Sequence, residues 1–154
     1  IELASSPTIL GTGDINGDGR VDLAVTHFDD DFISLILNVG HGHFAAPTEL
    51  PLDDGPVAFE LVDLDTDGDL DFAVTTFVSE ELPSVVSILL NDGHGAFGPT
   101  TNFDVAKFPF YIVARDLNGD EHPDLAVLNF ASGTVSVLIG FAENQMTTCM
   151  TILA

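Results

Sequence analysis

The chain has 154 residues, of which 45% are hydrophobic, and it carries 25 acidic side chains against 3 basic ones for a net charge of −22. This size and hydrophobic content suffice for one packed domain, which excludes disorder of the whole chain. The charge excludes nucleic acids and anionic membranes as partners, no apolar run is long enough for membrane insertion, and the single Cys149 excludes an intrachain disulfide.

The first repeat unit, residues 1–50, predicts four short strands. One strand follows Pro7 and ends at an Asp-rich loop, loop one (residues 14–22). Residues 23–26 and 33–37 are rich in β-branched side chains and predict two more strands, and a fourth follows the turn at residues 40–44. Ile1 aligns with Leu50, so we expect the chain to begin within a strand, after a removed signal peptide or as part of a longer protein.

The second and third units, residues 51–103 and 104–154, repeat this order. Their loops, loop two (residues 63–71) and loop three (residues 116–124), follow at spacings of 49 and 53 residues. The extra length lies near residues 79–84. Pro56 and Pro109 match Pro7, each seven residues before its loop, where a strand start tolerates the missing N–H. The third unit lacks the Gly-His-Gly-x-Phe turn, so we expect an irregular last strand.

An all-β fold of four-stranded antiparallel blades, about three of them in one repeat domain, is therefore predicted. Units of this kind at a period near 50 residues are typical of β-propellers, in which each blade packs against its neighbours. Three blades are too few for a closed ring of about four to eight. The chain is thus expected to be part of a longer propeller or to complete itself by association.

The three loops share the pattern Asp-x-[Asp/Asn]-x-Asp-x-x-x-Asp, which predicts up to three Ca²⁺ sites. Side-chain oxygens at positions one, three, five and nine and the carbonyl of position seven supply the hard ligands that Ca²⁺ prefers. Carboxylates this close repel one another without a cation. The predicted ligands are Asp14, Asn16, Asp18, Arg20 (carbonyl) and Asp22; Asp63, Asp65, Asp67, Asp69 (carbonyl) and Asp71; and Asp116, Asn118, Asp120, His122 (carbonyl) and Asp124.

Loop three is expected to be the weakest site, because Glu121 replaces glycine at position six, where a positive φ is favoured. The alternative interpretation is ordinary Asn/Gly and Asp/Gly turns. Three copies in register favour calcium. An EF-hand is excluded, since Val25, Val74 and Val127 stand where its glutamate belongs and the flanking segments are strands.

These residues resemble the FG-GAP/VCBS repeat family, the propeller units of integrin α-subunits, fungal lectins and large secreted bacterial proteins. The resemblance covers about residues 1–140 and rests on the recurring proline and on three segments: Gly13-Asp-Ile-Asn-Gly-Asp-Gly-Arg-Val-Asp-Leu-Ala, Leu37-Asn-Val-Gly-His-Gly-His-Phe and Leu90-Asn-Asp-Gly-His-Gly-Ala-Phe. It implies calcium loops that join the inner two strands of each blade, opposite the usual ligand-binding face.

Other motifs carry weaker signals. His41 and His43 could bind a transition metal, but exposed hairpin tips are the favoured interpretation. The pairs Phe28/Phe32 and Phe108/Phe110 are expected to pack between blades, and the lack of tryptophan argues against a typical sugar-stacking platform. Acidic runs at residues 28–32 and 79–83, with Asp53, Asp54 and Lys107, lie on the face where a partner is expected.

The function predicted from these features is a non-catalytic, extracellular or cell-surface, calcium-binding module that recognises a protein or glycan. No catalytic set, zinc signature or phosphate loop is found. A second hypothesis is a structural subunit whose open sheet edges pair into a homo-oligomeric ring or filament. A third is a non-catalytic appendage of a secreted enzyme.

Overall fold

The structure is a computed structural model, which describes residues 1–3, 7–79, 82 and 84–140 and the backbone of residues 148–153. Every regular element in these residues is a β-strand. The strands in chain order are β1 (Leu10–Gly13), β2 (Asp22–His27), β3 (Phe32–Ile36), β4 (Asn38–Gly40), β5 (His43–Phe44), β6 (Thr48–Pro51), β7 (Gly55–Val62), β8 (Asp71–Phe77), β9 (Ser84–Leu89), β10 (Thr101–Val105), β11 (Pro109–Arg115), β12 (Asp124–Asn129), β13 (Thr134–Ile139) and β14 (Thr148–Leu153).

Three four-stranded antiparallel sheets contain twelve of these strands, which confirms the predicted blade-like architecture. The first sheet has the order β1-β2-β3-β6, the second β7-β8-β9-β10 and the third β11-β12-β13-β14. Loops one, two and three join the first two strands of the three sheets, as the sequence predicted. The first sheet ends at Pro51 and the second at Val105.

The second and third sheets start with an edge strand that contains proline. Pro56 and Pro109 lie at the start of β7 and β11, beside a register shift in each pairing, and an edge position leaves the missing N–H without cost to a ladder. Pro7 lies before β1 rather than within it. The predicted extra length is found in the connection between β8 and β9, although residues 80, 81 and 83 lie outside the described residues.

The segment after the first Gly-His-Gly-His-Phe turn differs from the prediction of one strand. The turn is the tip of a small separate hairpin, β4-β5, and the fourth strand of the sheet begins later, at Thr48. The third sheet, in contrast, is more regular than expected: β14 pairs with β13 over six residues without a register shift. A strand can therefore complete this blade without the glycine-rich turn.

Two apolar cores hold the sheets together, and each lies between neighbouring sheets. The first joins Ala24, Ile33 and Leu35 to Phe72 and Leu89 of the second sheet. The second core joins side chains of the second and third sheets, and its members include Ala73, Val86, Ile88, Leu125, Val127 and Leu138. Blade faces thus pack on blade faces, as expected for repeats that cannot bury their faces alone. No helix in the described part of the chain is long and apolar enough to cross a membrane.

Candidate metal centre

The aspartates at position nine have the same structural role in all three loops. Asp22, Asp71 and Asp124 are fully buried. One carboxylate oxygen of each accepts the N–H of the position-two residue of its own loop, and the other accepts an N–H just beyond the third strand of the sheet. The donors are Ile15 and Asn38 at 2.9 and 2.7 Å, Leu64 and Asn91 at 2.8 and 2.8 Å, and Leu117 and Gly140 at 2.8 and 2.9 Å. These aspartates therefore fix the base of each loop, with or without a cation.

In loop one the remaining acidic side chains find partners within the loop. The Asp14 carboxylate accepts the N–H groups of Asp18 and Gly19 at 3.1 and 2.7 Å. The Asn16 amide donates to Asp18 at 3.1 Å, and the Arg20 guanidinium forms an ion pair with the same carboxylate. A positive charge and an amide donor thus already compensate Asp18.

In loop three, as in loop one, the acidic side chains find partners within the loop, and this loop is more exposed. Asp116 accepts the N–H groups of Gly119 and Glu121 at 2.6 and 3.1 Å, and the Asn118 amide donates to Asp120 at 2.9 Å. Backbone hydrogen bonds, that from Gly119 first, lower the pKa of Asp116. Its carboxylate is therefore stable as an anion in this loop.

Loop two brings three carboxylates together without such compensation. Asp63, Asp65 and Asp71 offer oxygens that lie within 4.8 Å of one another, the one cluster of three acidic or histidine side chains among the described residues. Position three is an aspartate here, so no amide N–H is available. One oxygen of Asp63 accepts the Gly68 N–H at 3.1 Å, and the other is buried with no hydrogen-bond partner.

The electrostatics of loop two favour a bound cation. Burial raises the pKa of Asp71 to about 6 despite its two backbone hydrogen bonds, and the charges of Asp65 and Asp67 contribute to the rise. Burial also raises the pKa of Asp65, followed by the charge of Asp67. At this spacing the ionised form of these carboxylates is unfavourable. A hard divalent cation fits such a group, because its charge favours the ionised form and lowers the pKa of each carboxyl.

The backbone of the loops is more strained than the sequence indicated. The residues at position six, Gly19, Gly68 and Glu121, have φ values of 80°, 100° and 70°, which confirms the expected left-handed conformation. Position four also takes positive φ, through Gly17, Thr66 and Gly119 at 68°, 62° and 86°. Loops two and three thus each hold one strained non-glycine residue, since a β-branched threonine is disfavoured in this region.

The position-seven residues, predicted as carbonyl ligands, contribute to the loops through their N–H groups. Arg20, Asp69 and His122 each donate to the aspartate at position five, at 3.0, 2.9 and 3.0 Å. This shared bond orients the same peptide units in the three loops. His41, His43 and His94 lie exposed at their turns and join no such cluster in the described residues.

A group of five phenylalanines, the phenylalanine surface, lies at the opposite ends of the sheets from the loops. Phe28, Phe77 and Phe130 occupy equivalent positions, six residues after each position-nine aspartate, and Phe108 and Phe110 complete the group. Phe77 links the sheets, with ring centroids 6.2 Å from Phe28 and 5.3 Å from Phe108. Phe110 and Phe130 contact Phe108 and remain 56% and 71% exposed. Phe32 instead stacks on His27 in its own sheet.

Acidic side chains adjoin the phenylalanine surface. The Leu52 N–H donates to the Asp31 carbonyl at 2.8 Å, which places the loop before β7 beside the loop after Phe28. Burial, followed by the charges of Asp31 and Asp53, raises the pKa of Asp54 there. Sequence reasoning placed a partner on this face but did not recognise the aromatic group, whose signal is the phenylalanine that recurs at the end of the second strand.

Comparison with known proteins gives one family. Residues 14–74 match the family model described as an FG-GAP-like repeat, and this stretch includes loop one, β2 to β7 and loop two. No curated protein matches the chain.

Proposed function

Because residues 14–74 form an FG-GAP-like repeat, we propose that the protein is a non-catalytic, extracellular recognition module stabilised by calcium. The loops bind the metal at one end of the sheets, and the phenylalanine surface binds a protein ligand at the other. A six-residue strand at about 3.3 Å per residue separates the two ends by about 20 Å. Stability and ligand recognition thus depend on different residues.

The observation that carries the calcium proposal is the buried, unpartnered oxygen of Asp63 beside Asp65 and Asp71. A buried carboxylate oxygen without a hydrogen bond is costly, and Ca²⁺ supplies what this oxygen lacks. Asp63, Asp65, Asp67 and Asp71 would hold the ion, with the Asp69 carbonyl completing the set. Loops one and three offer fewer free oxygens, so loop two is the tightest site.

Thermal and chemical unfolding with calcium or with a chelator tests this proposal. Saturating calcium is expected to stabilise the protein by about 1.4–2.7 kcal/mol, which corresponds to a free concentration about 10–100 times the dissociation constant. Asp65→Asn gives loop two the chemistry of loops one and three, and we expect it to lose most of this gain while its stability in chelator is unchanged or higher.

The matched control is Asp29→Asn, which removes an exposed carboxylate outside the loops. Its response to calcium is expected to equal that of the unmodified chain. Equal stability with and without calcium, or an Asp65→Asn variant that retains the full response, would contradict a site in loop two.

The recognition proposal is supported by the exposed aromatic rings and their charged surroundings. Exposed apolar groups in one contiguous patch are typical of binding surfaces, and aromatic side chains contribute most per residue. The acidic residues Asp31, Asp53 and Asp54 beside Phe28 favour a cationic partner, because arginine and lysine pair with carboxylates and stack on aromatic faces. A basic segment of another protein fits this chemistry better than a neutral glycan.

Selection from a phage-displayed random peptide library and binding to a glycan array, both in calcium, identify the ligand class. We expect selected peptides to be rich in arginine or lysine and Phe130→Ser to weaken their binding at least tenfold. The control is Val39→Ser, which changes a similarly exposed residue of β4, at the loop end of the first sheet. Glycan binding without peptide binding, or equal effects of both substitutions, would refute the protein-recognition proposal.

A further inference from the structure

The side chain of Asn91 connects loop one with loop two. Its amide group donates one hydrogen bond to the Ile15 carbonyl of loop one at 2.8 Å and another to the Leu70 carbonyl of loop two at 3.0 Å. Its oxygen accepts the N–H groups of Gly93 and Gly95, both at 3.2 Å. Asn91 is 5% exposed. Both hydrogens and both lone pairs of a buried amide are therefore used, and one side chain joins two blades.

The two carbonyls belong to peptide units that lead directly into predicted ligands. The carbonyl carbon of Ile15 is bonded to the nitrogen of Asn16, at position three of loop one. The carbonyl carbon of Leu70 is bonded to the nitrogen of Asp71, at position nine of loop two. The backbone N–H of Asn91 also donates to the Asp71 carboxylate at 2.8 Å. Asn91 therefore orients one predicted calcium ligand in each loop.

The turn that Asn91 begins, residues 91–97, contacts both loops through its backbone. A Cβ atom at Gly17 of loop one would lie 2.8 Å from the Gly93 carbonyl oxygen. A Cβ atom at Gly93 would meet the Asp69 carboxylate of loop two. Approaches this close need glycine at both positions. Contact between the turn and the two loops is thus observed independently of the Asn91 amide.

The core between the first two sheets anchors this turn. Asn91 pairs with Phe97 across the turn. Phe97 packs against the core, with its ring centroid 5.2 Å from that of Phe72, the residue that follows Asp71 in β8. Because the turn is held by the core as well as by hydrogen bonds, a displacement of one loop is transmitted to the other.

The third sheet has no such side chain at the equivalent position. Gly140 takes the place of Asn91, since its N–H donates to Asp124 as that of Asn91 does to Asp71. Glycine carries no amide group that could reach loop two, and a Cβ atom at Gly140 would clash with the Pro123 carbonyl oxygen. Loop three is therefore not tied to loop two at this position.

We propose that Asn91 couples two calcium sites, so that loop one binds calcium more tightly when loop two is occupied. The coupling rests on the proposed function, in which both loops bind the ion. With loop two occupied, Asp71 and Asn91 are held in place, and the Asn91 amide holds the Ile15 carbonyl in the orientation that the occupied loop one needs. Loop one then loses less conformational freedom on binding, which gives positive coupling.

Asn91 is a positioning residue in this scheme, because it contacts the loops and not the ion. The coupling is reciprocal, so an occupied loop one raises the calcium affinity of loop two by the same factor. Loop three gains nothing from an occupied loop two by this route.

A calcium titration of the intact chain containing isotope-labelled glycine, followed by NMR, measures the three loops separately. Gly19, Gly68 and Gly119 each donate their N–H to a carboxylate of their own loop, so their resonances report on loops one, two and three. Asp65→Asn removes a proposed ligand of loop two. It is expected to raise the calcium midpoint of Gly19 about fivefold or more, a typical size for coupling between sites. The midpoint of Gly119 is expected to stay unchanged.

The Asn91→Ala variant separates the coupling from a simple effect of charge. Asp65→Asn also removes a negative charge, and this effect on loop one persists whether or not the Asn91 amide is present. All titrations are therefore made in salt that screens exposed charges. In the Asn91→Ala background, Asp65→Asn is expected to change the Gly19 midpoint much less than it does in the unmodified chain.

Asn38→Ala is the matched control. Asn38 is the equivalent residue of the first sheet, and its amide donates to the Val21 carbonyl of loop one at 3.0 Å. This bond lies within one blade, so its loss is expected to weaken loop one and to leave the effect of Asp65→Asn on the Gly19 midpoint intact. A merely structural role of Asn91 would make the two alanine variants behave alike, which would overturn the proposal.

The titration also distinguishes the coupling from the proposed function. A Gly68 resonance that does not respond to calcium would overturn the proposed function and the coupling with it. If Gly19 and Gly68 both respond but Asp65→Asn leaves the Gly19 midpoint unchanged, the coupling alone is overturned, and this comparison does not require the Asn91→Ala variant. A folded Asn91→Ala variant, as judged by circular dichroism, in which the full effect of Asp65→Asn persists would have the same consequence.

Discussion

Loops two and three share one pattern and the same two hydrogen bonds to the position-nine aspartate, yet they differ in charge compensation. In loop two, Asp65 joins Asp63 and Asp71 and leaves an unpartnered buried oxygen. In loop three, the Asn118 amide donates to Asp120, and the loop is exposed. One oxygen-bearing residue at position three, together with burial, thus distinguishes the uncompensated loop from the compensated one.

The comparison teaches that spacing and charge contribute separately to such a site. Spacing places the oxygens and fixes the loop base through Asp71 or Asp124, which is a structural role that no metal is needed to perform. Under the proposed function, charge decides the affinity of each loop for calcium. Substitutions in loops two and three separate these two contributions.

The largest effect is expected from Asp71→Ala and Asp124→Ala. Each removes two hydrogen bonds to a buried carboxylate, so each should cost about 3 kcal/mol of unfolding free energy in chelator. In calcium, Asp71→Ala should cost about 1–3 kcal/mol more than Asp124→Ala, because it also removes a ligand of the proposed stronger site. Urea unfolding of both variants in both conditions measures this; equal costs in calcium would eliminate the proposed difference between the loops.

A smaller effect is expected from pH in the absence of calcium. The pKa of Asp71 is raised in the folded protein to about 6, so its folded form binds a proton more tightly than the unfolded chain does. The stabilisation that comes from protonated Asp71 is complete at low pH and is lost as the pH rises through about 6. Between about pH 5 and pH 7 the chelated protein should lose about 1 kcal/mol of stability.

In saturating calcium the protein should instead become more stable over the same pH range, since the ion binds the ionised carboxylates. Unfolding at several pH values, with Asp71→Ala as the control that removes the titrating group, follows both trends. A stability in chelator that rises steadily from pH 5 to pH 7 would be inconsistent with an uncompensated loop two.

The smallest effect is expected from relieving the strained residues. Thr66→Gly in loop two and Glu121→Gly in loop three remove side chains from a left-handed conformation, which costs about 1–2 kcal/mol, against the entropic cost of glycine of about 0.5–1 kcal/mol. The free energy of unfolding of each variant in chelator should therefore be about 0.5–1 kcal/mol higher than that of the unmodified chain. Gly119→Ala, the reverse change at position four, should lose stability, and thermal unfolding compares the three.

Much of the fold could be predicted because its signals are local and repeated. The β-branched runs that became β2, β3, β9 and β13 lie beside loops whose glycines and aspartates mark the ends of strands, so periodicity and turn chemistry agree. The hairpin β4-β5 was not predicted, although Pro47, directly before Thr48, is a signal for a separate strand start.

Less of the site could be predicted, because it depends on contacts between residues. In a sequence pattern Asn16, Asp65 and Asn118 are equivalent, because each carries a side-chain oxygen that could bind a cation. Only the structure shows that the two asparagine amides donate hydrogen bonds to the neighbouring aspartate in loops one and three. The left-handed conformation of Thr66 could not be predicted, because the expected glycine pattern covers position six alone.

The hydrogen bond from Asn91 to the Ile15 carbonyl has a consequence for folding during synthesis. The two residues are 76 positions apart, and a side chain at Gly17 would lie 2.8 Å from the Gly93 carbonyl oxygen, so the second blade covers loop one. At about 5–20 residues per second, the ribosome makes this cover roughly 4–15 s after the loop itself. We expect loop one to mature only when the next blade has emerged, so that the repeats become native in order from the N-terminus.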